Sequence, residues 1–201
     1  MRISAIILAA GYSSRMGKLK ALLPLEGETL LHRAVRIFQT AGVADIVVVT
    51  GYERISIEEA LIGEAVRIVY NPGFNEEMFS SVKVGAAGLA PEADAFYVLP
   101  VDIPLQSAEI LLQMNKMFNE YGPEAIIHPC YQRKRGHPPL ISVCYRKDLL
   151  AWQGPAGLKG FLSQYEAHSY HLEVDDEFIL NNINTPEQYQ ILTEKFNRRI
   201  F

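Results

Sequence analysis

The chain has 201 residues, 49% of them apolar and 21% charged, with a formal net charge of -4. That length suits one α/β domain and is short for two. The apolar content excludes a disordered chain, and the acidic balance argues against a nucleic-acid binder that neutralises phosphates over a wide face. Cys130 and Cys144 lack C-x-x-C spacing and are expected as packed thiols, neither a disulfide framework nor a thiolate metal site. The N-terminus runs into residues 3–8 without the long apolar region and cleavage site of a secretory signal, and no apolar run reaches membrane-spanning length. A cytoplasmic protein with no membrane association is therefore expected.

Residues 3–8 have the apolar density of a strand covered on both faces, and they open into Ala9, Ala10 and Gly11. Those three carry almost no side-chain bulk, so a ligand can come against the backbone. Ser13, Ser14 and Gly17 suit a turning loop whose amides point inward around an anion, and Arg15 and Lys20 add positive charge for phosphate oxygens. The spacing breaks both common phosphate-loop patterns. Five residues separate Gly11 from Gly17 and Leu19 follows Lys18, which is not a Walker loop, and Ser13 stands where a dinucleotide fingerprint needs glycine. A glycine-rich turn with solvated cations remains the alternative.

Leu30, Leu31, Ala34, Val35, Phe38 and Ala41 repeat at helical spacing, and apolar strands are expected at 46–49 and 66–69. Asn71 then leads towards Ser80, Ser81 and Gly85, read as lying at or near a helix start that can hydrogen-bond a base edge or an anion. The next strand, 96–99, runs into Asp102, held between Pro100 and Pro104. In an open parallel sheet ligands bind beyond the carboxyl ends of the strands, so Asp102 emerges where the first loop opens. One carboxylate and one further oxygen donor suffice for magnesium that is also held by phosphate and water; the alternative is a turn aspartate capping the following helix.

Ile110, Leu111, Met114, Met117, Phe118 and Tyr121 form an apolar helical stripe read as core. Strands at 125–128 and 140–143 flank the basic turn Gln132, Arg133, Lys134, Arg135 and Gly136, and His137, Pro138 and Pro139 follow it. This reads as a hairpin added to the sheet, either a stiffened binding edge or a plain edge-strand turn. Asn181, Asn182 and Asn184 offer a second oxygen donor or serve as turn residues, and Thr185, Pro186 and Gln188 signal a helix whose Tyr189, Leu192 and Phe196 face inward. Strands alternating with helices give a mainly parallel sheet wrapped by helices.

Together these residues resemble the molybdenum cofactor cytidylyltransferase, or MobA-like, nucleotidyltransferase family. Its first motif, L-A-A-G-x-S-x-R-M-G-x-x-K, is matched by residues 8–20 at every defined position. Its S-S-x-x-x-G element resembles 80–85, its D-x-P element 102–104, its G-H-P-P element 136–139, and its N-x-N-T-P-E element 182–187, all in the family's order. The resemblance implies a three-layer α/β/α sandwich with a Rossmann-like, mostly parallel mixed sheet of the nucleotide-diphospho-sugar transferase type. It also implies one nucleotidyltransferase domain, about 1–105 for the nucleotide and about 106–201 for the acceptor.

The implied reaction is attack by an acceptor phosphate on the α-phosphorus of a nucleoside triphosphate, with release of pyrophosphate. By resemblance, Leu8, Ala9, Ala10, Gly11, Ser80, Ser81 and Gly85 bind the nucleotide, and Arg15 and Lys20 hold the triphosphate. Asp102 with Asn182 or Asn184 holds Mg2+, and Arg135, Gly136, His137 and Pro138 receive the acceptor. Ala9 and Ala10, where guanylyl enzymes usually carry glycines, and the G-H-P-P element favour CTP. The asparagines at 182 and 184 depart from the aspartate of many cytidylyl relatives and weaken the metal site. The implied partners are CTP, a molybdopterin-type acceptor and a molybdenum-dependent dehydrogenase. Two alternatives stand beside this: GTP or another triphosphate with a sugar or alcohol phosphate as acceptor, and a non-catalytic protein that delivers the finished cofactor.

Overall fold

A computed structural model describes residues 1–103 and 107–199. Its strands are β1 (Ile3–Ala9), β2 (Pro24–Leu25), β3 (Glu28–Thr29), β4 (Asp45–Thr50), β5 (Arg67–Tyr70), β6 (Ala95–Pro100), β7 (Ile126–Tyr131), β8 (Lys134–Arg135), β9 (Leu140–Ser142) and β10 (Ser169–Glu173). The helices are α1 (Leu30–Thr40), α2 (Arg54–Ala60), α3 (Met78–Ala87), α4 (Ala108–Tyr121), α5 (Arg146–Ala151), α6 (Gly157–Leu162) and α7 (Pro186–Arg199).

The main sheet runs in the order β10, β7, β9, β6, β1, β4, β5, with β8 paired to β7. β1 is central and parallel to both β4 and β6, whereas β9 runs antiparallel to β6 and β7. The sheet is therefore mixed and mostly parallel, as expected. Alternate residues of β1 enter opposite cores. Ala5, Ile7 and Ala9 pack with α1, α2 and α4, while Ile6 and Leu8 pack with α3, α5 and α6. Ile6 and Ile7 are fully buried, which stabilises by roughly 2–3 kcal/mol per side chain and makes the strand a rigid base for the loop that follows it.

α7 closes a smaller cluster in which Leu192 meets Met16, Leu23 and Leu25, with Tyr189 and Phe196 packed against it. The expected capping box forms: Gln188 N donates to Thr185 Oγ1 (3.3 Å), and Gln188 Oε1 accepts from Thr185 N (3.2 Å). This ties the asparagine segment to the first loop's own support.

Several expectations shift. β9 stops at Ser142 because the Ser142 hydroxyl accepts from Cys144 N (3.1 Å) and starts a short 3-10 turn that takes Val143. Cys130 is buried as expected, but Cys144, on that turn, is exposed. Of the α4 stripe, Tyr121 is exposed and stacks on Tyr170 of β10 at 3.8 Å. β10 and the small β2–β3 hairpin carry no clear period in the sequence. The hairpin turns at Glu26 and Gly27, both at positive φ.

Candidate nucleotide and acceptor sites

The C-terminal ends of β1 and β6, the loop after β5 and the start of α3 meet around a cleft of about 250 Å3. Its floor is the end of β1 and the Ala10–Gly11 turn, and Ser13, Lys20, Ser81 and Asp102 line it. Ser13 and Gly17 take left-handed backbone angles, φ 53° and 63°, so the loop folds back on itself. The Ser13 hydroxyl accepts from Lys20 N (3.0 Å), which brings the lysine inward.

Lys20 Nζ donates to Asp102 Oδ2 and to Asn184 Oδ1, each at 2.9 Å. Three segments separated by up to 164 residues in sequence thus share one ammonium. Arg15, exposed, reaches the same Asn184 oxygen at 3.4 Å. Ile183 N donates to the Asp102 carbonyl (2.8 Å) and Val101 N to the Leu8 carbonyl (3.1 Å), so the backbone itself holds these segments in register. Asn182 is not drawn in: it is exposed and lines a shallow depression with Gln188 and Lys195. Of the two candidate metal asparagines, only Asn184 meets Asp102's partner. Pro104 of the D-x-P element lies outside the described residues.

Asn71, 2% exposed, organises the opposite wall. Its amide donates to Ser80 Oγ and Ser81 Oγ, both at 2.9 Å, and its oxygen accepts from Gly73 N at 2.9 Å. Ser80 in turn donates to the Gly73 carbonyl (3.1 Å), so its hydroxyl is committed within this network. Ser81 lines the cleft, and among the described residues no group accepts its hydroxyl proton. Ser80 and Ser81 do fall in the first turn of α3, but Gly85 is the eighth residue of that helix, away from its start. A Cβ there would stand 2.4 Å from Ile6 Cγ2 and 3.0 Å from Val49 Cγ2, so Gly85 lets α3 approach the sheet and is absent from the cleft lining.

A second pocket, about 800 Å3, shares Leu8, Met78 and Pro100 with the cleft. Phe79, Val82 and Leu158 give it an apolar floor, and Arg133, Lys134 and Lys159 stand at its rim. Gly136 and His137 both line it. Glycine is required at 136, where a Cβ would lie 2.8 Å from the Ile179 carbonyl, and that same carbonyl accepts from His137 N at 3.0 Å. Pro138 is buried, and Pro139 lines the pocket in its stead. Arg135 is at the lining too, but its guanidinium is committed: it forks Glu166 at 2.8 and 2.5 Å and donates from Nε to His171 Nε2 at 2.8 Å.

His137 Nδ1 and His128 Nε2 are buried without a hydrogen-bond partner among the described residues. Burial, helped by the charges of Arg135 and His171, pushes His128 down to about 3. Burial likewise lowers His137, against the raising influence of Asp102 and a backbone contact at Val98. Both rings are neutral near pH 7. The sequence reading missed His128, although a histidine inside the apolar run of β7 is itself a signal, and it missed Asn71's organising role.

A third depression, of about 610 Å3, lies at the other ends of β1 and β4. Its Asp45 is consumed by Ser4 Oγ (2.5 Å), Arg67 and Ala90 N (3.2 Å), so it offers no spare charge. The chemistry collects at the cleft and the neighbouring pocket.

The sequence profile described as the MobA-like NTP transferase domain matches residues 5–169. The chain is 26% identical over 195 residues to the molybdenum cofactor cytidylyltransferase of Escherichia coli (strain K12), covering 96% of this chain and 97% of that protein. It is 31% identical over 198 residues to a probable molybdenum cofactor guanylyltransferase of Synechococcus elongatus, covering 96% and 98%. Among solved structures, a nucleotidyl transferase from Methanothermobacter thermautotroptrophicus superposes with a TM-score of 0.85 at 26% identity, covering 98% of this chain and 99% of that one.

Proposed function

This chain belongs to the MobA-like NTP transferase domain family and is a nucleotidyltransferase; from that premise we propose that it transfers CMP from CTP to a molybdopterin-type acceptor, with magnesium, and releases pyrophosphate. The observation that carries this reading is the shared ammonium of Lys20, 2.9 Å from both Asp102 Oδ2 and Asn184 Oδ1. Two oxygen donors already converge on one cation, so they fit a hard divalent ion whose other positions go to phosphate and water. When bound, such an ion supplies positive charge beside the α-phosphate and the leaving pyrophosphate.

The chain's own groups do the rest. Lys20 and Arg15 meet triphosphate oxygens and stabilise charge that builds on the leaving group. The backbone of Leu8, Ala9, Ala10 and Gly11 and the Ser81 hydroxyl hold the base; Ser80 acts through the Asn71 network, and Gly85 acts by letting α3 sit close. In the neighbouring pocket Gly136, His137 and the basic rim receive the acceptor, with Pro138 supporting from behind. Because Leu8, Met78 and Pro100 border both cavities, an acceptor phosphate in one faces a nucleotide in the other. Positioning then suffices, and no covalent protein nucleophile is required. Residues to about 105 serve the nucleotide and those beyond serve the acceptor, a cytoplasmic setting and a molybdenum-dependent dehydrogenase as recipient following from the same reading.

Ala9 and Ala10 support CTP. A second reading, GTP, is supported by the 31% identity to a guanylyltransferase and by the asparagines at 182 and 184. Pyrophosphate release, measured with each of the four ribonucleotides, magnesium chloride and molybdenum-loaded molybdopterin, tests both. CTP is expected to support turnover. Preference for GTP replaces the base assignment, turnover only with sugar or alcohol phosphates replaces the acceptor, and tight binding of the finished dinucleotide without turnover selects a delivery protein.

A further inference from the structure

Three loops leave the C-terminal ends of β1, β4 and β5, and each carries one aromatic residue into a single ring cluster beside the cleft: Tyr12, Tyr52 and Phe74. The Tyr12 ring lies 5.1 Å from Tyr52 and 5.3 Å from Phe74, centroid to centroid, tilted by 39° and 52°. Such offset contacts are favourable between aromatic rings. The arrangement is fixed by backbone. Tyr52 N donates to the Ala10 carbonyl (3.1 Å) and Asn71 N to the Thr50 carbonyl (2.8 Å), which joins the three loops in series. Gly51 sits where they touch, since a Cβ there would stand 2.4 Å from Phe74 Cβ and 2.8 Å from the Ala10 carbonyl.

The cluster is nonetheless open to solvent, with Tyr12 48% and Tyr52 36% exposed. Tyr12 and Phe74 line the cleft and Tyr52 does not. A rigid aromatic surface left uncovered at the lip of a ligand cleft is unused stacking area. The charged end of the same cleft is occupied by Lys20 and Asp102, so the aromatic lip belongs to the other end of the ligand.

We propose that Tyr12 and Phe74 form a stacking wall for the base of the bound nucleotide, with Tyr52 a positioning residue that holds Tyr12 from outside. The proposal rests on the cleft's being the nucleotide site. A ring face reads no hydrogen-bonding edge, so the wall strengthens every nucleotide and leaves the choice of base to Ser81 and the backbone of residues 8–11.

Calorimetric titration in magnesium chloride with CTP, GTP and inorganic tripolyphosphate tests this. Tyr12→Leu, a change at a half-exposed position, is expected to weaken CTP and GTP alike by about 5- to 100-fold while tripolyphosphate binding stays within about twofold. Tyr12→Phe is expected to bind as the parent protein does, and Tyr52→Leu to lose less than Tyr12→Leu. Undiminished nucleotide affinity in both Tyr12→Leu and Phe74→Leu overturns the proposal, as does an equal loss for tripolyphosphate. If the parent protein prefers GTP, the base assignment changes while the stacking wall stands or falls on the same ratio. If it binds no nucleotide, both readings fail.

Discussion

In the cleft, Lys20 is 15% exposed and Asp102 21%, and the two meet at 2.9 Å; across the shared wall of Leu8 and Pro100, His128 is buried and His137 half-buried, each with one buried ring nitrogen unpaired among the described residues. The difference follows from charge. An unpaired ammonium or carboxylate at that depth costs too much, so the cleft keeps its ionic groups paired until a ligand exchanges partners. A neutral imidazole can stay unsatisfied at a cost of about 1–3 kcal/mol, which a hydrogen-bonding ligand gives back. Under the proposed function, one cavity receives phosphate and its cation, and the other receives the acceptor, whose anionic groups meet the basic rim.

The sharpest way to break that comparison is to remove the cleft's carboxylate. Asp102→Ala is expected to lower the rate of pyrophosphate release about 1000-fold and Lys20→Met by about 100- to 1000-fold, at roughly 3–4 kcal/mol each. Circular dichroism should report an unchanged fold. Full activity in Asp102→Ala removes the cleft from the chemistry. On the other side of the wall, His137→Ala should raise KM for the acceptor about tenfold, the equivalent of one ordinary hydrogen bond to a buried group, and leave KM for the nucleotide nearly unchanged. Parallel changes in both constants would merge the two regions into one.

Acid sharpens the contrast further. His128 is held down to about 3, whereas the unfolded chain takes up a proton near 6.5, so between these values the unfolded state binds more protons and stability falls as pH falls. Between pH 7 and pH 5 this costs about 1–2 kcal/mol, and His128→Gln should flatten that slope in denaturant titrations at each pH. The smallest effect is expected from Glu166→Gln. It frees Arg135 at a stability change below about 1 kcal/mol, because the pair is exposed, and it should lower the acceptor KM if Arg135 then turns to the pocket.

The first loop was legible because its chemistry is local: small residues, two left-handed turns and cations within residues 8–20. The α7 start was legible for the same reason, a capping box within four residues. What joins them is not local. Nothing between Lys20 and Asn184 in the sequence says that they touch, and the choice of Asn184 over Asn182 depends on Ile183, whose side chain goes to the α7 cluster while its amide pairs with Asp102. Gly85 reads as part of a ligand-binding helix start, but it lies further along α3 and is fixed by helix-to-sheet packing. Arg135 reads as a free cation because Glu166 lies in a short 3-10 segment that has no period to flag it. β10 escaped because an edge strand with half-exposed residues does not alternate cleanly.

The central claim is that the cationic first loop and Asp102 serve one polyphosphate. A crystal of the protein with a non-hydrolysable CTP analogue and manganese, read by anomalous scattering, addresses it directly. The account predicts a metal peak against Asp102, with Lys20 Nζ moved from that carboxylate onto a phosphate oxygen. A triphosphate bound elsewhere, with the Lys20–Asp102 pair intact and no metal beside it, would contradict it.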